Sequence, residues 1–191
     1  MLASAPTAAE SPCELHIWPA SGLRSISSGW FQGVLLGGNG KLREGYPSLS
    51  NDPLEPAIQI TLLSAQPTAA TLGLNGAVLV AHDTPLTRRQ VAVPGRHSTS
   101  TAPCYSELIV DDIFHEDAAL STPSLRVLFR FATYGVAPEP LRRYTSWTAK
   151  SVTAPLPKTD AEAQVLAAEL RDAFVADFTA FATNVLVKAH P

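Results

Sequence analysis

Tyr105-Ser-Glu-Leu-Ile-Val-Asp-Asp-Ile-Phe-His-Glu116 is followed, beyond Ser121-Thr-Pro-Ser124, by Leu125-Arg-Val-Leu-Phe-Arg-Phe131. In the second stretch Leu125, Val127, Phe129 and Phe131 occupy every other position, and Arg126 and Arg130 fall between them. A period of two is what a strand with one face on a core requires. The Ser/Thr/Pro segment supplies turn chemistry. The pair therefore reads as an antiparallel hairpin. Arg142 to Val152, with Tyr144 and Trp147, adds a further strand after the Pro138-Glu-Pro140 break.

The apolar face of such a sheet must be covered, and the C-terminal segment fits. Thr159 and Glu162 have capping-box spacing, which satisfies the free amides of a first helical turn. Leu166, Leu170, Phe174, Phe178, Phe181 and Val185 then form one helical stripe, with Glu169, Asp172 and Asp177 placed away from its centre. The expected partner is the sheet face of Phe129 and Phe131.

Upstream, Cys13 to Trp18 reads as a strand stopped by Pro19 and joining the sheet near the strand after Cys104. Leu23, Ile26, Trp30, Phe31, Val34 and Leu35 recur at spacings of three and four, predicting a short helix ended by the glycines of Gly37-Gly-Asn-Gly40. Pro56 to Gln66 predicts a second helix with proline in its first turn. Ala77 to His82 reads as a buried strand. Pro85 to Pro103 is a long irregular connection, the kind that is often functional or mobile.

The expected organisation is a lead over residues 1–12, one α+β domain over 13–188 and a tail over 189–191. Its sheet is antiparallel with about four or five strands, helices pack mainly on one face, and the C-terminal helix is long and amphipathic.

A chain of 191 residues can bury a core of its own. Its net charge of −3 gives no electrostatic case for nucleic acid or an anionic membrane surface. No stretch approaches the roughly 18 apolar residues of a membrane span. The Ala/Ser/Pro/Thr-rich start lacks the basic and apolar regions of a signal peptide and reads as the flexible segment that follows a cleavage site.

The motifs that carry chemistry fail one by one. Around Gly40-Lys41 the phosphate-loop pattern meets Leu35 where a glycine belongs and Leu42 where a Ser or Thr would hold magnesium. The dinucleotide glycine pattern places Arg43 at its third glycine. Asp111-Asp-Ile-Phe-His-Glu-Asp117 is rich in metal donors, yet strand alternation sends Asp111 and Asp112 to opposite faces. It reads as a solvated strand end, with an aspartate set against Arg126 or Arg130. No Gly-x-Ser-x-Gly elbow is present. No metal or cofactor is expected.

Cys13 and Cys104 are the only cysteines. A sparse, even count favours a disulfide and an oxidising compartment. Closing a loop of roughly 90 residues would stabilise the fold by about 4–5 kcal/mol in the chain-entropy model. The alternatives are inert thiols, or a reactive Cys104 with His97 or His115 as its base.

Four blocks, Cys13-Glu-Leu-His-Ile-Trp-Pro19, Pro94-Gly-Arg-His97, Cys104-Tyr-Ser-Glu-Leu108 and Leu128-Phe-Arg-Phe131, resemble those of uncharacterised exported proteins of alphaproteobacteria. The likeness extends over most of the chain after residue 12. It implies export, and it carries over no functional residue. The order of elements is also similar to periplasmic domains of the curli-secretion and penicillin-binding-protein-activator kind, which implies a fold and no activity.

The leading expectation is a non-catalytic periplasmic or secreted domain of the cell envelope that binds a protein partner or a cell-surface component, with a cytoplasmic home as the alternative. A cysteine–histidine enzyme using Cys104 is one alternative function. A small-ligand carrier with a pocket under the 85–103 loop is the other.

Overall fold

The computed structural model describes residues 12–28, 52–118, 122–154 and 159–188. Strands β1 (Glu14–Trp18) and β2 (Arg24–Ser28) are followed by helices α1 (Pro56–Ser64) and α2 (Thr68–Thr71) and strand β3 (Val78–Ala81). A single helical turn, α3 (Arg88–Val91), precedes strands β4 (Tyr105–Ala118), β5 (Ser124–Tyr134) and β6 (Pro140–Ser151). Helix α4 (Asp160–Lys188) closes the fold.

The fold is α+β, built on one six-stranded sheet in the order β3-β1-β4-β5-β6, with β2 paired to β4 beside β1. The long strands β4, β5 and β6 are antiparallel; the short pairings β1–β3, β1–β4 and β2–β4 are parallel. The sheet is therefore mixed, because the chain returns through helices to lay β3 and β4 on either side of β1.

β1 and β2 run in tandem along one edge of β4, meeting Tyr105–Ile109 and Phe114–Ala118 respectively. The turn between them has Gly22 at φ 129, where a Cβ would collide with the Asp52 carboxylate. That carboxylate accepts from Leu23 N at 2.8 Å. Buried Gln59 staples α1 to the same turn, accepting from Ala20 N (2.8 Å) and donating to Leu54 O (2.6 Å).

Two sequence readings change here. Arg24–Ser28 is a strand and not the start of a helix; the rest of that predicted helix lies outside the described residues. β3 forms the far edge of the sheet, so Val78 is 49% exposed and the strand is not buried.

The core lies between the sheet and α4. Leu125, Val127, Phe129 and Phe131 are all buried, as are Leu166, Leu170, Phe174, Phe178, Phe181 and Val185. Phe129 meets Phe174, Phe178 and Phe181 with ring centroids 5.9, 6.1 and 5.1 Å apart. Truncating such a side chain costs about 3–5 kcal/mol. Leu63 of α1 and Leu72, the residue that caps the C-terminus of α2, join the same core. Thr159 and Glu162 exchange the two capping bonds at 3.2 and 3.3 Å. Glu169 accepts from Thr153 N (2.6 Å) and Ala154 N (2.7 Å), tying the end of β6 to the helix and holding the Glu169 carboxyl below its usual range.

Asp177 corrects the sequence reading. It is fully buried in the α4 stripe, and neither carboxylate oxygen has a hydrogen-bond donor among the described residues. The hydroxyl of neighbouring Thr148 is directed to Val127 O (3.3 Å). Burial pushes the Asp177 carboxyl up to about 7.

Candidate functional site

The opposite face of the sheet holds the polar chemistry. Alternation places Glu14, His16 and Trp18 of β1 on this face while Leu15 and Ile17 enter the core. The same rule places Tyr105, Glu107 and Ile109 of β4 here. Trp18, Tyr105, Ile109 and Tyr134 form a second apolar cluster, with Leu86, Val91 and Ala132 packed against it.

The connection over residues 85–103 lies across this cluster as a strap. Thr87 and Gln90 form a capping box that starts α3. Gly95, at φ 104, turns the chain, and its carbonyl accepts from Tyr134 OH at 2.9 Å. Arg96 then clamps the strap: it donates to Ser100 O and Ala102 O (both 3.1 Å) and to Gly135 O (2.5 Å), with its guanidinium 4.8 Å from the Tyr105 ring centre.

Glu107 is the buried anchor beneath the strap, 1% exposed. It accepts from Tyr105 OH (2.6 Å), His97 N (2.5 Å) and His97 Nδ1 (2.8 Å). His97 Nε2 reaches Gln90 O at 3.1 Å. The carboxylate and the carbonyl both accept, so His97 carries a proton on each nitrogen. The Glu107 hydrogen bond raises the His97 pKa. Burial drives the Tyr105 hydroxyl far above its usual range and that of Tyr134 up to about 12.

A second network runs alongside. His16 Nε2 lies 2.9 Å from Glu14 Oε2, which also accepts from Ser100 Oγ. His16 Nδ1 lies 2.8 Å from His82 Nε2. With Glu14 as the acceptor, His16 is protonated on Nε2, and one proton joins its Nδ1 to His82 Nε2. His82 stacks on Trp18 at 4.0 Å and 4°. Its pKa is lowered, first by burial and then by His16, whereas the His16 hydrogen bond lowers that of Glu14.

Beyond the strap the face opens into a cleft of 540 Å³ lined by Arg88, Asp111, Asp112, Leu128, Arg130 and Trp147. A β-bulge at Asp111 breaks the β4–β5 register, so two successive aspartates share this face. This overturns the expectation that they diverge. Asp111 pairs with Arg130 (2.7 Å) and Asp112 with Arg24 (2.5 Å). Burial raises the Asp112 pKa against the pull of Arg24. Adjoining the cleft, under the strap, lies a mainly apolar cavity of 280 Å³ lined by Val91, Pro94, Ile109, Ala132, Tyr134 and Arg143 among others. A further cleft, of 630 Å³, lies on another part of the surface, beside Asp52, Glu55 and Arg171.

Of the sequence candidates, Cys13 and Cys104 are joined in a disulfide, with Cα atoms 4.6 Å apart where β1 and β4 begin side by side. His97 belongs to the strap. His115 is buried in the helix-facing half of β4, opposite Leu125. The sheet separates the two histidines, and the sulfur of Cys104 is bonded to Cys13. No group of three or more His, Cys, Asp or Glu able to hold a metal occurs among the described residues.

Sequence reading missed Glu14, His16, His82 and Glu107. The alternation of β1 and β4 carried the signal for three of them. His82 had none, because only the β1–β3 pairing brings it in.

No family model matches the chain, and no curated protein matches it. Among solved structures it is similar to protein XCC0632 from Xanthomonas campestris, described with the family model DUF330. Identity is 10%, coverage 98% of this chain and 91% of that one, and the TM-score 0.49. The hypothetical protein CT253 from Chlamydia trachomatis is 12% identical, with coverage of 90% and 98% and a TM-score of 0.36. At these values the likenesses carry no argument about activity.

Proposed function

We propose that this chain is a non-catalytic, exported cell-envelope domain that binds a protein partner or a cell-surface component through the sheet face opposite α4. One observation carries the reading. The strap covers part of that face, held down through Glu107 and His97, and beside it lies a cleft of 540 Å³ floored by Leu128, Arg130 and Trp147. Glu107 spends its oxygens on three donors and His97 both its nitrogens, an arrangement suited to fixing a loop. The disulfide supports an oxidising home.

The test is site-specific photocrosslinking in the native cell. A photoreactive residue at Leu128 should give one discrete envelope adduct, which is absent when the label stands at exposed Thr179 on α4. The same adduct from both positions, or none from Leu128, would sink the proposal. A small-ligand carrier is the second reading, favoured by the 280 Å³ cavity under the strap. It calls for a solvatochromic dye that is displaced by small apolar carboxylates and insensitive to the Leu128 label.

A further inference from the structure

β6 ends the sheet. It runs for twelve residues, Pro140–Ser151, and no described residue pairs with its outer edge. The free N–H and C=O groups of such an edge are a template for another strand. Proline stands only at its first position, where a missing amide costs least. Helix α4 backs the strand through the Tyr144–Phe181 contact (5.4 Å) and the bond from Arg142 Nη2 to Val185 O (3.2 Å), so the edge is held rigid.

Its charge is one-sided. Arg142, Arg143 and Lys150 lie on it, and it carries no acid. Arg142 turns to the end of α4; Arg143 and Lys150 are exposed, Lys150 also acting on Asp177 from the α4 side, and both are placed to meet whatever adds to the edge. Alternation sets Arg143 on the cleft side, where it lines the cavity, and Lys150 on the α4 side. Charged edges commonly serve to repel other edges, and this one does repel its own kind. Two copies paired antiparallel would bring Arg142 and Arg143 of each toward the Lys150 end of the other, which is unfavourable.

We infer that β6 accepts an extended acidic segment of a partner protein as a seventh strand, with acids opposite Arg143 and Lys150 on opposite faces of the enlarged sheet. This rests on the partner-binding reading above and specifies the partner's chemistry. Backbone pairing supplies the affinity, and the two cations select for carboxylates and set the register.

The experiment is an NMR titration of the isotope-labelled full chain with a synthetic strand-length peptide of Thr and Val bearing Glu at the two matched positions. A Lys-bearing peptide is the control. Amide shifts along residues 140–151 are expected with the Glu peptide, about tenfold weaker with the Lys peptide or with the R143E/K150E double variant. No shift on β6 at millimolar Glu peptide, or equal binding of both peptides, overturns the inference. Concentration-dependent dimerisation through β6 in the protein alone also overturns it, by giving the edge to a second copy. Shifts confined to the Leu128–Trp147 cleft overturn it too, and they leave the partner-binding reading standing.

Discussion

His16 Nδ1 and His82 Nε2 face each other at 2.8 Å, and the 5.1 Å between ring centroids places both nitrogens close to the line joining the rings. One proton fits between them and two do not. The facing nitrogens therefore cannot both be protonated, and burial, with His16 beside it, holds the His82 pKa below its ordinary value.

A histidine with a depressed folded pKa contributes stability above its unfolded value, near 6.5, that is lost as pH falls toward the folded value. His82→Gln keeps a donor near the Nε2 position and removes the titration. Denaturant melts at about pH 5 and 8 should show the wild type losing stability on acidification and the variant losing markedly less. Equal losses would mean that the contact does not govern the acid response.

His97 works in the opposite sense. Its pKa is raised by Glu107, so the stability from this pair is complete below about 6.5 and fades as pH climbs through the raised value. Glu107→Gln leaves a buried amide among donors and should cost about 3–5 kcal/mol. The His97 ring titration, followed by NMR, should move down toward an ordinary histidine. An unchanged titration would remove Glu107 as its cause.

Asp177 gives a third pH signature. Its carboxyl rises from 3.8 to about 7 on folding, so stability is greatest below the lower value and falls as pH rises between the two. At slightly alkaline pH Asp177→Leu should be more stable than wild type by up to about 4 kcal/mol, and Asp177→Asn should flatten the profile over that window. Measuring both variants against pH separates charge burial from packing. An Asn variant with the wild-type slope would assign the pH effect elsewhere.

The Cys13–Cys104 disulfide closes a loop spanning 91 positions, and Cys13→Ser should cost about 2–5 kcal/mol. Alkylation followed by intact mass should detect no free thiol until reductant is added. Rapid labelling of Cys104 without reductant would reopen the cysteine–histidine reading.

How much of this was legible follows from what each feature depends on. Leu125 to Phe131 and the α4 stripe announce themselves because period two and period 3.6 are local properties. The strands after Cys13 and Cys104 were legible as neighbours through the cysteines. Asp177 was not, because the helix lies so deeply between sheet and solvent that its buried face is wider than one stripe. Arg24–Ser28 was misread because three- and four-residue spacings in a short window do not separate helix from strand when β4 supplies the pairing. The bulge at Asp111 depends on register with β5, which no single strand records.

β1 sits between β3 and β4, and the chain makes both of them long after it makes β1. During synthesis the N-terminal strand therefore waits, unpaired and apolar on one side, until residues 78–109 have emerged. The hairpins of β4, β5 and β6 need only local closures and can assemble with α4 first. Docking of β1 on β4 has the higher contact order of the two steps, and the disulfide joins these strands where they begin. Its formation time should report that docking.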